Sequence, residues 1–173
     1  MLNLTKRVDY GLIALTHLAC VEKAEAAPAS VAARLSVRGM AEAYNMSQPL
    51  LANVMKDLAR LGFVRSVRGT KGGYELAFPP EQITVGRVAE ALEGPLRLTE
   101  CVQAQEGHTN ADEAACSVFG HCLIKRSLFL VHVKIRDALY GVTIADLARN
   151  AGPIRNHSSS SRLPIVNDQP VEH

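Results

Sequence analysis

Cys101, Cys116 and Cys122 fall in one polar stretch among Gly, Glu, Asp, Asn and His. A free cysteine usually serves as a small buried hydrophobe, and a stretch of this composition offers no core to bury one. Cys20 is different, because it lies on the apolar side of the first expected helix and fits that ordinary role. Thiolates are soft ligands, and an irregular segment can adapt its shape around a metal centre. Three thiolates leave one coordination position to be filled from elsewhere. His108, His121, Asp112 and Glu113 are near in sequence, and Asp9 is a more distant candidate. A zinc site or a thiol–disulfide switch would use the same residues, and the spacing alone does not separate them.

A second constellation points to nucleic acid. Lys56, Arg60, Arg65, Arg68 and Lys71 can neutralise phosphates, with only Asp57 opposing them between positions 56 and 71. Ser47, Gln48 and Asn53 can read bases or hold phosphates. The run Arg68-Gly69-Thr70-Lys71-Gly72-Gly73 has the flexibility to follow a groove and the charge to hold it. Charge is distributed accordingly. Residues 1–78 carry ten Lys/Arg against six Asp/Glu, and residues 79–173 carry nine against eleven. A basic first half is the footprint of a polyanion-binding face.

These residues need elements to hold them. Leu4, Val8, Leu12, Leu15, Leu18 and Ala19 recur at helical spacing and predict an amphipathic helix over about 5–21, capped by Thr5. Ser36 caps a short helix reaching Tyr44, and Asn45 sits at a turn where a left-handed backbone is needed. Ser47 caps the next helix, which tolerates Pro49 in its first turn and runs to Leu61. Leu50, Leu51, Val54, Leu58 and Leu61 should face inward, with Gly62 closing the helix. The alternation of Phe63, Val64 and Val67, then Tyr74, Leu76 and Phe78, predicts a β-hairpin with a basic tip. A hairpin directly after a helix-turn-helix is the wing of a winged helix. Thr84 to Leu92 should form a further helix, stopped at Gly94-Pro95. Residues 123–140 carry too many apolar side chains for one buried stripe, which suggests a dimer interface. A last capped helix covers residues 143–151.

The expected fold class is therefore mainly α: a winged helix-turn-helix with a small hairpin wing and a long C-terminal dimerisation helix. Residues 1–80 form the DNA-binding domain, 81–151 the cysteine segment and dimerisation helices, and 152–173 a mobile tail. Tryptophan is absent and aromatics make up only 5%, so the core must come from Leu, Ala, Val and Ile, which favours helices. No segment reads as a signal peptide or membrane span, so a cytoplasmic protein with reduced or metal-bound cysteines is expected. There is no CxxC pair, phosphate-binding glycine loop or nucleophile–base set, which argues against an enzyme and against a small-molecule substrate.

With these elements in place, LTKRVDYGLIAL, SVRGTKGGYELA, ITVGRVAEALEGP and CSVFGHC resemble the Rrf-type winged-helix regulators, the family that includes IscR and NsrR. The matching stretches span most of residues 2–150. The resemblance implies a homodimer that crosses its long helix, binds a double-stranded DNA operator and regulates transcription. It also implies an iron–sulfur cluster, 2Fe-2S ahead of 4Fe-4S, on Cys101, Cys116 and Cys122. The five residues between Cys116 and Cys122 fit the pattern, whereas the fourteen between Cys101 and Cys116 exceed that of IscR-like members. IscR-like proteins use a His three residues after the last cysteine, where this chain has Lys125. NsrR-like proteins use an Asp from the first helix of the partner subunit, which the match places at Asp9. The stretch GPLRLTEC is most similar to regulators of the SUF cluster-assembly operon, and a nitric oxide or redox-sensing NsrR-like repressor is the alternative.

Overall fold

The structure, a computed structural model, describes residues 4–25, 36–68, 73–96 and 121–151. Its elements are α1 (Lys6–Glu25), α2 (Val37–Ala43), α3 (Gln48–Arg60), β1 (Val64–Val67), β2 (Gly73–Leu76), a 3-10 turn (Pro80–Gln82), α4 (Val85–Glu93), α5 (Lys125–Gly141) and α6 (Ile144–Asn150). This is a mainly helical winged helix-turn-helix. The expected Cys101–Cys116 segment and the tail from 152 onward lie outside the described residues.

The helix-turn-helix is set by local chemistry. Ser36 Oγ accepts the Gly39 N–H at 3.1 Å, so α2 starts where its first orphan donor finds a partner. Asn45 takes φ 52°, and the Met46 N–H closes the turn on Ala41 O at 2.8 Å. At the far end of α3, Gly62 takes φ 80°, its N–H reaches Ala59 O, and the Phe63 N–H reaches Leu58 O. That paired closure uses up two orphan carbonyls and aims the chain directly into β1. The two strands pair antiparallel with Val64 opposite Leu76, Arg65 opposite Glu75 and Val67 opposite Gly73.

The core is one cluster drawn from α1, α2, α3, the hairpin, α4 and α6. Val8, Leu15 and Leu18 of α1 meet Leu51, Val54, Met55 and Leu58 of α3, with Val64, Leu76, Val88, Leu92 and Ile144 around them. Each such side chain contributes about 1.5–3 kcal/mol by leaving water. The inward placing of Leu61 and the strand alternation carried on to Phe78 both need correcting. Leu61 is the residue that ends α3, and there it points out, 42% exposed. Phe78 lies past the last strand pair and is 48% exposed, because the alternation stops at Leu76. Met55, not expected inside, completes the buried stripe of α3.

A backbone joint ties the C-terminal helices to the winged helix. The Val85 N–H reaches Val142 O at 2.9 Å, the Ile144 N–H reaches Ile83 O at 2.8 Å, and Thr84 bridges Thr143. α6 lies against α1, and α5 against α4. Elsewhere on α5, Leu130 and Val131 are exposed among the described residues, as are Leu123 and Ile124 just before the helix. Among the described residues, no helix is long and apolar enough to cross a membrane.

Candidate nucleic-acid interface and cysteine segment

α3 buries Leu51, Val54, Met55 and Leu58 and turns Asn53, Lys56 and Arg60 to the opposite, exposed side. Ser47 and Gln48 are exposed at its N-terminus. In a helix-turn-helix, this is the end that approaches base edges. Arg65 is exposed on β1, Arg68 follows that strand, and Gly73 opens β2. Thr70, Lys71 and Gly72 lie outside the described residues. The structure thus gathers Ser47, Gln48, Asn53, Lys56 and Arg60 on one helix and sets Arg65 and Arg68 on the hairpin that follows.

The basic residues are not equally available. Asp57 Oδ1 holds Arg60 at 2.9 Å while its Oδ2 holds Arg7 of α1 at 2.9 Å. Arg65 pairs with Glu75, directly opposite in the hairpin, at 2.5 Å. Lys56 and Arg68 make no ion pair among the described residues. The free positive charge is therefore smaller than the sequence alone suggests. The Arg65–Glu75 pair was findable, because equal counts from the glycine-rich tip place the two opposite each other. Arg7–Asp57 crosses two helices and has no sequence signal.

The N-terminus of α3 is built unusually. Ser47 occupies the N-cap position, but its hydroxyl makes no capping hydrogen bond. The Ser47 N–H instead donates to the Tyr10 hydroxyl oxygen of α1 at 3.0 Å. Nothing in the sequence around Tyr10 signals this contact, which joins residues 37 positions apart. Elsewhere in α1, His17 is buried with Nδ1 2.9 Å from the Tyr44 hydroxyl. Burial, and then the neighbouring Cys20, pushes the Tyr44 hydroxyl above its ordinary pKa.

On the cysteine side, Cys122 is partly exposed and directly precedes the turn into α5. Cys101, Cys116, His108, Asp112 and Glu113 lie outside the described residues. His121 is exposed, and Lys125 opens α5. Asp9 is exposed in the first turn of α1, and its carboxylate has no hydrogen bond or ion pair among the described residues. Cys122, His121 and Asp9 are the described members of the candidate set, and among the described residues no three His, Cys, Asp or Glu side chains are grouped to hold a metal ion. Cys20 is partly buried beside Ala148 O, with Sγ at 3.9 Å, away from that set in role as in sequence.

Fold and interface together define a winged helix-turn-helix DNA-binding protein. Residues 4–150 match the family described as Rrf2, iron-dependent transcriptional regulator, and the chain belongs to that family. It is accordingly a DNA-binding transcription regulator and not an enzyme. The HTH-type transcriptional regulator NsrR of Bacillus licheniformis is 29% identical over 154 residues, covering 89% of this chain and 97% of the relative. NsrR of Shouchella clausii is also 29% identical, over 89% of this chain and 93% of the relative. Among solved structures, IscR from T. potens is similar at a TM-score of 0.61 and 25% identity, covering 93% of this chain and 94% of its own. CymR of Staphylococcus aureus in its oxidized form is similar at 0.58 and 25%, over 87% and 99%.

Proposed function

We propose that this chain is a homodimeric NsrR-like repressor that senses nitric oxide or redox state through an iron–sulfur cluster. The cluster would be held by Cys101, Cys116 and Cys122, with Asp9 of the partner subunit as fourth ligand. When bound, it supplies a centre reactive toward oxidants and nitric oxide. The chain's own residues do the rest. Asp9 sits on α1, which packs directly on α3 and α4, so a load on that helix bears on the element that reads DNA. The exposed Leu130 and Val131 of α5 support pairing with a second copy. Residues 1–80 would read DNA, 81–151 would sense and dimerise, and 152–173 would form a tail.

The observation that carries this reading is the open Asp9 carboxylate on α1, together with Lys125 where IscR-like proteins carry a ligating His. The curated relatives named NsrR favour it over control of SUF-type assembly genes, which rests on GPLRLTEC alone. Anaerobic purification with iron, sulfide and zinc analysis, read beside the visible spectrum, tests it. About two or four irons per chain with matching sulfide, lost in Cys101→Ala, Cys116→Ala or Cys122→Ala, is the expected result. Addition of nitric oxide should then bleach the spectrum and release DNA.

A second reading is a thiol-switched regulator without a cluster. The likeness to a CymR crystallised in an oxidized form supports it. Absence of iron after anaerobic reconstitution, with DNA affinity that responds to peroxide and dithiothreitol, would select it.

A further inference from the structure

A helix N-cap residue has its own backbone N–H to satisfy, and a capping box does so with a Glu or Gln side chain three residues on. α6 has such an arrangement: the Thr143 N–H donates to Asp146 Oδ2 at 2.9 Å. α3 cannot, because its third residue is Leu50, which has no acceptor. The Tyr10 hydroxyl takes that place from another helix, accepting the Ser47 N–H at 3.0 Å. The consequence lies in the side chain. In α2 the capping Ser36 spends its hydroxyl on the Gly39 N–H. Ser47 does not, and its hydroxyl makes no hydrogen bond among the described residues.

We propose that Tyr10 is a positioning residue for DNA reading: its hydroxyl pins the backbone of Ser47 so that the Ser47 side chain and the neighbouring Gln48 are held at the end of α3, free to engage DNA. The Tyr10 ring is partly buried and packed against the core. The acceptor is therefore fixed by α1 rather than by α3 itself, and α3 keeps its register relative to α1. The inference rests on the reading that the N-terminus of α3 meets DNA.

The test uses the full-length protein, matched for iron content, and two probes. One is a duplex selected by the wild-type protein from a random library, and the other is a scrambled duplex of equal composition. Tyr10→Phe keeps the ring and removes only the hydroxyl that accepts the Ser47 N–H. It should lower the ratio of selected to scrambled affinity by about three- to tenfold, the effect of one lost hydrogen bond. Affinity for the scrambled duplex and the thermal midpoint should stay near wild type. Ser47→Ala retains the N–H and should lower the ratio similarly. The double variant should be no worse than Ser47→Ala alone, since neighbours that act through one contact are not additive. Equal loss on both duplexes, or full additivity with Ser47→Ala, would make Tyr10 an ordinary structural residue and overturn the proposal. So would an unchanged ratio in Tyr10→Phe when Ser47→Ala lowers it. If neither Ser47→Ala nor Gln48→Ala changes the ratio, the reading of α3 fails and the proposal falls with it.

Discussion

Tyr140 of α5 donates its hydroxyl to Glu90 Oε2 of α4 at 2.6 Å. The ring of the same tyrosine fills the space where a Cβ on Gly86 would stand, well inside contact distance. α5 therefore approaches α4 as closely as it does because position 86 lacks a side chain.

Gly86→Ala should force the Tyr140 ring out and destabilise the fold by about 1–3 kcal/mol, the usual cost of overpacking. Calorimetry reads the lowered midpoint. Tyr140→Phe should cost less, under about 1 kcal/mol, because solvent reaches that hydrogen bond. A Gly86→Ala protein as stable as wild type would mean that α5 can move away from α4 without loss.

The same contact gives stability a pH dependence at the alkaline end. The hydrogen bond to Glu90, then burial and the Glu90 charge, raises the Tyr140 hydroxyl above its ordinary pKa of 10.0. A raised pKa means that the contribution is whole below the unfolded value and is lost as pH climbs through the folded one. Urea midpoints measured upward from about pH 9 should fall less steeply in Tyr140→Phe than in wild type.

At the acid end the sign reverses. The Thr143 hydroxyl, then the Thr143 N–H, and then Arg149 hold Asp146 below the usual carboxylate pKa. That contribution is present above the unfolded value near 3.8 and disappears as pH falls through the depressed folded value. Asp146→Asn should flatten the acid limb of a urea-midpoint profile. An identical limb in both proteins would remove the capping box from the account of acid stability.

Salt dependence separates the basic residues. Lys56→Ala and Arg68→Ala should each reduce the slope of log affinity against log salt by up to about 0.9, the value for one phosphate contact. Arg60→Ala and Arg65→Ala should reduce it less, because Asp57 and Glu75 already claim their charge. Fluorescence anisotropy across a salt series measures both. Equal slopes for all four variants would show that the ion pairs open on DNA.

Asp57→Asn removes the carboxylate between Arg7 and Arg60. Affinity for any duplex should rise at low salt, since one repulsive charge leaves the interface and one arginine is released. The gain should vanish as screening increases. A loss of affinity instead would mean that Asp57 matters chiefly by holding α3 to α1.

The residues that define the helix-turn-helix were legible because their causes are local. Ser36, Asn45, Gly62 and Thr84 each act within a few positions of themselves, through caps and backbone freedom that the residue type announces. Leu61 was misread because helical spacing continues past the point where the helix stops. Tyr10–Ser47 and Arg7–Asp57 were illegible, since each joins helices that meet only after the chain has folded. The cysteines announced themselves by composition, but Cys122 and Asp9 are the only members of the expected ligand set among the described residues.

The joint between Thr84 and Thr143 has a consequence for how such a regulator can change. Residues 97–120 begin and end on helices that are already fastened to each other, by that joint and by Tyr140. Lengthening a connection between fixed ends adds only about 0.6 kcal/mol per doubling. A change in the fourteen-residue spacing between Cys101 and Cys116 should therefore cost the winged helix little stability. On the proposed reading, insertions, deletions or exchange of this segment would alter the sensing part while the fold that carries α3 stays as it is.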